Sequence, residues 1–377
     1  MNFINRIPKR IGHLVVGLTS CLLLTNCTPF AQNVIRYQEP GIEDYQIFPT
    51  RVVKAGTPQP WKLADNYNKK QLGAELEKTV AGLGTVAFLV VQNGELLYER
   101  YWAEHDAKTY SASFSMAKSI VGMLVGIALE EGKIRSLDQA VADFIPEFKA
   151  GKKAGITLRH LLTMTSGLAW DESYNSITSP TTELYYGDDL HKLVLGLPVK
   201  HAPGTVWYYS SADSQILGMA LEAAVGLSLS DYASQKIWQR IGAEQDATWS
   251  LDKDNGTTKG NCCFNSTPRD FARLGQLVLQ NGRWQNQQLV PSAYLAQATK
   301  SNPVLRDEEN KTVDFYGYQF WLGQLENKPM PFFAGILGQY IFVIPHLNAV
   351  VIRLGQNDNP DFQDVPTYEQ AALKILK

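Results

Sequence analysis

The chain has 377 residues, of which 45% are hydrophobic and 19% charged, a balance that excludes disordered and fibrous classes. Its 35 basic residues oppose 37 acidic ones for a formal charge of -2, and no run of like charge exceeds three positions, so nothing forms an electrostatic footprint for nucleic acid. Six histidines stand at 13, 105, 160, 191, 201 and 346, never at the i, i+4 spacing of a helical metal pair, which disfavours a zinc hydrolase.

The N-terminus reads as an address. Arg6, Lys9 and Arg10 precede an apolar stretch from Ile11 to Leu24, the charged and apolar parts of a secretory signal, too short to span a bilayer. Leu24-Thr25-Asn26-Cys27 resembles a lipobox, with Cys27 as the lipidated residue. Leu18-Thr19-Ser20-Cys21 matches that pattern better but leaves an apolar region of only about eight residues. Cys27 is therefore preferred and Cys21 is the alternative. The expectation is an exported, periplasmic or outer-membrane-anchored bacterial lipoprotein, with residues 1–27 as signal and 28–65 as a tether or N-terminal arm.

Thr85 to Val91 and Leu96 to Trp102 flank Asn93-Gly94, which predicts a hairpin with a type I′ turn. A long apolar segment from Ser115 to Glu131 ends at Gly132, the pattern of a buried helix stopped by a glycine. Helical stretches are predicted at 158–164, 214–225 and 230–239, interrupted by loops such as His201-Ala202-Pro203-Gly204. Cys262 and Cys263 are adjacent, a spacing that rarely bridges, and Asn261-Cys262-Cys263-Phe264 reads as a buried apolar approach to the next helix. Thr267-Pro268-Arg269-Asp270 supplies an N-cap, a proline at the first helical position and an acidic third residue, for a helix running to Leu279 with Gly282 beyond it. Gln339–Ile344 and Ala349–Leu354 flank Pro345-His346-Leu347-Asn348 as a second hairpin, and Tyr368–Leu376 reads as a terminal helix.

Early and late strands predict a mixed α/β (α+β) fold in which one antiparallel sheet is built from both chain ends and flanked by helices. The sheet part is placed at about 66–135 and 267–377, and a mostly helical insertion at about 136–266.

The chemistry starts at Ser115-Met116-Ala117-Lys118. A hydroxyl needs a base within hydrogen-bond reach, and positions i and i+3 share one face of a helix. Ile120, Val121, Met123, Leu124 and Val125 make the surroundings apolar, and burial depresses a lysine's pKa toward a neutral amine. A chain of this size holds about one or two such four-residue patterns by chance, and Ser250-Leu251-Asp252-Lys253 is a second copy. That copy sits in a polar Asp- and Gly-rich stretch and is read as surface. Pro203-Gly204-Thr205-Val206-Trp207-Tyr208-Tyr209-Ser210-Ser211 brings Tyr209 to a loop-to-helix junction, where a phenol can act as base or acid.

Ser115-x-x-Lys118, the stretch from Ile156 to Leu168, Pro203 to Gly218, and Gly335-Ile336-Leu337-Gly338-Gln339, in this order, resemble the serine β-lactamase and penicillin-binding-protein superfamily. The likeness covers roughly residues 70 to 377. It is to the class C-like branch, and most to the 6-aminohexanoate-dimer hydrolase group, through Tyr209-Ser210-Ser211-Ala212-Asp213, Ala247 to Asp252, Cys262-Cys263 and Gly338-Gln339. The resemblance implies Ser115 as nucleophile, Lys118 as base and Tyr209 as the tyrosine of a Tyr-x-Asn motif, with Ser211 standing where that motif has asparagine. It also implies an oxyanion hole from the N–H groups of Ser115 and Ile336. Where the family has Lys-Thr-Gly this chain has Phe333-Ala334-Gly335, so the cation that meets a β-lactam or peptide carboxylate is missing.

The expectation is therefore a serine amidase or esterase acting on a small molecule through an acyl-enzyme, needing no metal or cofactor and no nucleic acid. The alternatives are a β-lactamase or D,D-peptidase, or a non-catalytic penicillin- or peptide-binding envelope protein. Ser211, Trp170, Tyr174, Phe333 and Gly335 are candidate substrate contacts. Glu172 belongs to the same pocket-covering stretch, and Asp188 and Asp189 are candidates for a substrate amine. His160 reads as a structural helix residue and Arg269-Asp270 as a capping and ion-pair feature.

Overall fold

In a computed structural model the described residues are 29–377, apart from 38, 175, 177, 303 and 358–361. The expected signal segment, with Cys21 and Cys27, lies outside them. Met1–Glu39 and Pro40–Lys377 separate as two units. Helix α1 (Pro29–Tyr37) is the described element of the first.

In the second unit the chain runs through β1 (Thr50–Val53), α2 (Ala74–Gly82), β2 (Thr85–Gln92), β3 (Glu95–Tyr101), β4 (Ser111–Ala112), α3 (Met116–Glu130) and α4 (Leu158–Leu162). It continues through α5 (Pro180–Tyr186), α6 (Leu190–Leu195), α7 (Ser211–Val225), α8 (Leu229–Ala233), β5 (Ala247–Ser250), β6 (Phe264–Ser266) and α9 (Pro268–Leu279). A small hairpin, β7 (Arg283–Trp284) and β8 (Gln287–Gln288), precedes α10 (Ser292–Ala298), β9 (Trp321–Leu325), β10 (Lys328–Gly335), β11 (Gln339–Ile344), β12 (Ala349–Gly355) and α11 (Val365–Leu376).

The main sheet is antiparallel in the order β3-β2-β12-β11-β10-β9, so strands from both chain ends pair directly, Val90 lying opposite Val351. Asn93 and Gly94 both take positive φ, 54° and 78°, as a type I′ turn requires. On one sheet face Phe88, Val90, Phe332, Phe342 and Val351 pack with Val80 of α2 and Tyr368, Ala371 and Ile375 of α11. On the other, α9 lies against β11 and β12 and α3 against β10 and β11. The approach of α9 is close: a Cβ on Gly275 would stand 2.4 Å from Val350 Cγ1. Thr267 caps that helix, its side chain accepting from Asp270 N, as its sequence predicts.

A second, four-stranded sheet in the order β1-β5-β6-β4 adds two short strands, β5 and β6, to a middle region otherwise built of the helices α4 to α8. Its strands have two to four residues, too short to show a period. β1 pairs with β5 about 200 residues away, Thr50 opposite Ser250. Ser250 is correspondingly not a surface residue. It is buried, and its Oγ accepts from Asn265 Nδ2 at 3.3 Å, whereas Lys253 is exposed beyond the strand end. Cys262 and Cys263 also depart from expectation, since the structure joins them in a disulfide. Cys263 has φ 68°, a left-handed turn that spacing alone does not reveal.

Candidate active site

The second sheet positions the start of α3. Ser113 is tied to β6 from both sides, its N–H donating to Phe264 O at 2.8 Å and its Oγ accepting from Phe264 N at 3.1 Å. Phe114 is then held at φ 43°, a costly conformation for a bulky residue, with its buried ring stacked on Tyr185 at 6.2 Å. This bend delivers Ser115, half-buried, to the N-terminus of α3.

Lys118 follows one turn on and is 1% exposed. Its Nζ stands 2.9 Å from Ser115 Oγ, 3.0 Å from Ser211 Oγ and 2.9 Å from the carbonyl oxygen of Asn261. Burial pulls its pKa down to about 8, against the opposing charge of Glu172. A usable fraction of neutral amine therefore exists near neutral pH, beside a hydroxyl. Asn261 contributes only its backbone, so no side-chain pattern could have pointed to it.

Tyr209 precedes α7, whose N-cap Ser210 accepts from Asp213 N. Its ring lies 5.2 Å from Lys118 Nζ, is tilted on Trp321 at 5.2 Å and meets Tyr316 edge-on at 6.0 Å. Burial, aided by the charge of Glu172, raises its pKa well above the ordinary value, and hydrogen bonds with Ser115 and Trp321 only partly offset this. At neutral pH Tyr209 is a proton-bearing phenol, which favours acid over phenolate base. The segment from Ile156 to Leu168 is locked to α7 by Ser166 Oγ, which donates to buried Asp213 at 2.6 Å; burial raises that carboxyl to about 7.

The edge of β10 closes the opposite side. A Cβ on Gly335 would stand 2.3 Å from Ser113 O and 3.1 Å from Ser115 N, so only glycine lets this strand approach. The ladder with β11 ends at Gly335–Gln339, and Ile336 opens the turn between them. Ser115 N–H precedes the first hydrogen-bonded turn of α3, where backbone donors lack intrahelical partners. The two N–H groups are thereby brought to one region and can serve an oxyanion.

Glu172, expected to cover the pocket, is central to it. Its carboxylate accepts from Ser211 N at 2.7 Å, Ser211 Oγ at 2.6 Å, Trp170 Nε1 and the Tyr174 hydroxyl. Ser211, Trp170 and Tyr174 thus gather at the site, Tyr174 being 45% exposed and Trp170 8%. Phe333 does not: it is fully buried, edge-on to Phe320 at 5.1 Å, which corrects its reading as a substrate contact. Residues two apart on a strand share a face, so Phe333 lies under the helix layer behind Gly335. Asp189 caps α6 by accepting from Lys192 N. His160 closes a capping box with Thr157, and Arg269 pairs with Glu99. Among the described residues no group of three or more His, Cys, Asp or Glu is placed to hold a metal.

The model of the Beta-lactamase family matches residues 74–374. The chain is 26% identical over 306 residues to the 6-aminohexanoate-dimer hydrolase of Paenarthrobacter ureafaciens, covering 76% of each chain. A Bacillus anthracis structure assigned as a 6-aminohexanoate-dimer hydrolase superposes with TM-score 0.79 at 22% identity, covering 93% of this chain and 97% of that one. A family VIII carboxylesterase structure superposes with TM-score 0.65 at 17% identity, covering 84% and 99%. Both structures share the fold described above. With most of its length matched by that family model, this chain belongs to the Beta-lactamase family and is a serine hydrolase of that fold.

Proposed function

We propose that the protein cleaves an amide or ester bond of a small molecule by two-step acyl transfer on Ser115. The observation that carries this is the buried Lys118 amine, 2.9 Å from a reachable serine hydroxyl and lowered to about 8 by desolvation. Ser115 Oγ attacks the carbonyl carbon as its proton passes to neutral Lys118, and the carbonyl oxygen rests on the N–H groups of Ser115 and Ile336. The tetrahedral species then expels the leaving group, which takes a proton from Tyr209, while Lys118 re-protonates Tyr209. Water, deprotonated by the same amine, attacks the acyl carbon, and Ser115 Oγ departs with the proton that Lys118 returns, which releases the acid and restores both residues.

The names of the 6-aminohexanoate-dimer hydrolases and the carboxylesterase support the amide or ester assignment. Phe333-Ala334-Gly335 offers no cation on β10, which weighs against β-lactams and D,D-peptides whose carboxylate needs one. For residues 1–27 we propose an export signal with lipidation at Cys27, Cys21 being the alternative. Uptake of labelled palmitate, lost in Cys27→Ala, is the expected result.

A fluorophosphonate probe followed by peptide mass spectrometry tests the nucleophile. The adduct is expected on Ser115 and absent after Ser115→Ala. An adduct on another serine, or undiminished labelling in that variant, refutes it.

A further inference from the structure

Ser211 has one hydroxyl proton and two neighbours that compete for its orientation. Its Oγ lies 2.6 Å from Glu172 Oε1 and 3.0 Å from Lys118 Nζ. A carboxylate only accepts hydrogen bonds. The Ser211 proton therefore goes to Glu172, and the lone pairs of Oγ face the lysine. The other fixed partner of Nζ is the carbonyl oxygen of Asn261 at 2.9 Å, again an acceptor only.

A neutral lysine amine carries two hydrogens and one lone pair. Two obligatory acceptors take both hydrogens. The remaining direction, toward Ser115 Oγ at 2.9 Å, is left to the lone pair, which is the orientation a general base requires. We propose that Glu172 is a positioning residue that, through the Ser211 hydroxyl, turns the lone pair of neutral Lys118 onto the proton of Ser115. This rests on Ser115 and Lys118 acting as nucleophile and base.

The need for Glu172 follows from Ser211 itself. An asparagine at this place offers a carbonyl that accepts from the lysine without help, whereas a serine hydroxyl can turn and donate. A donating Ser211 would occupy the lone pair and idle the base. Glu172 removes that alternative. Its carboxylate is held by Trp170 Nε1 and Ser211 N on one oxygen and by the Tyr174 hydroxyl beside Ser211 on the other. Tyr174, like Ser211, spends its proton on Glu172 and so does not compete for the lysine lone pair. The titratable groups that face Lys118 are Glu172 from the loop before α5 and Tyr209 before α7, and Tyr174, Asp213 and Tyr316 in turn face Glu172. Glu172 is the one whose charge raises the lysine.

The test is the rate of fluorophosphonate labelling of the full chain from pH 5.5 to 10 in the wild type, Glu172→Gln, Ser211→Asn and the double variant. Glu172→Gln is expected to lower the plateau rate about tenfold to a hundredfold, a part of the usual worth of a general base. Its acidic limb is expected to move to lower pH, because the charge that favoured the ammonium form is gone. Ser211→Asn supplies the second background whatever its own rate, and adding Glu172→Gln to it is expected to cost less than about threefold. A merely structural Glu172 would lower melting temperature and labelled fraction equally in both backgrounds. Equal cost in both backgrounds, or a Glu172→Gln plateau within about twofold of wild type, overturns the proposal. Should Glu172→Gln not fold, Ser211→Ala decides, since it keeps Glu172 but deletes the acceptor: a plateau within about twofold overturns the proposal and a tenfold loss supports it. Absence of labelling at Ser115 in the wild type would instead overturn the nucleophile assignment.

Discussion

Lys118 Nζ stands 2.9 Å from Ser115 Oγ across a single turn of α3, with Lys118 1% exposed and Ser115 half-buried. Moving an ammonium out of water costs free energy, and the protein offsets that cost with two oxygen acceptors rather than with a salt bridge. The amine consequently gives up its proton more readily than an exposed lysine does. On the proposed reading, where the helix begins and what covers it make the pair a base and a nucleophile.

The pH dependence follows with a definite sign. The lysine pKa is lowered to about 8, so the neutral, proton-accepting form grows as pH rises. Acylation of Ser115 is expected to accelerate from pH 6 and level off above about 8. Lys118→Met, which keeps the apolar stem, is expected to cost about 10²- to 10⁴-fold in kcat/KM. A flat profile between pH 6 and 9 would remove Lys118 as the base.

Tyr209 keeps its proton well beyond neutral pH because burial disfavours the phenolate. Tyr209→Phe is therefore expected to slow substrates whose leaving group must be protonated far more than those with good leaving groups. The loss should be about a hundredfold on an anilide or alkyl amide and under about tenfold on a p-nitrophenyl ester. Equal losses on both would indicate that Tyr209 aids Ser115 activation instead.

Gly335 permits β10 to lie against Ser113 and Ser115. Gly335→Ala would set a methyl 2.3 Å from Ser113 O, and backbone on both sides leaves little room to yield. A destabilisation of about 1–3 kcal/mol is expected, seen as a lower Tm, together with slower probe labelling as the Ile336 amide is displaced. Unchanged labelling would separate Ile336 from the oxyanion site.

Phe333, which the family resemblance sets at the place of a cation, is fully buried against Phe320. Phe333→Lys is expected to destabilise by about 3–5 kcal/mol, from lost packing and a buried ammonium, and to confer no labelling by a fluorescent penicillin. Penicillin labelling in a variant that retains its Tm would contradict this account of the strand.

Much of the chemistry was legible in the chain. Ser115 and Lys118 carry a helical spacing inside an apolar run, and Tyr209 sits at a capped helix start, both local properties that side-chain identity encodes. The Asn93-Gly94 hairpin, the Thr267 cap and the strands meeting as β11 and β12 were readable for the same reason. Glu172 was visible only as a carboxylate in a Ser- and Pro-containing stretch, because its partners Ser211 and Lys118 lie 39 and 54 positions away. The second sheet was hidden in segments of two to four residues, and Asn261 acts through a backbone oxygen that every residue possesses.

By itself the sequence determined the helix of Ser115 and Lys118 and the sheet shared by both chain ends, since periodicity and capping are local, and its resemblance to the family marked Phe333-Ala334-Gly335 as lacking a cation. Tertiary structure alone decided that Asn261 O and Ser211 Oγ meet Lys118, that Glu172 orients Ser211, and that Phe333 turns into the core. A hydrogen-bond direction exists only once distant segments are packed together, and here that direction is what makes the buried amine face the serine.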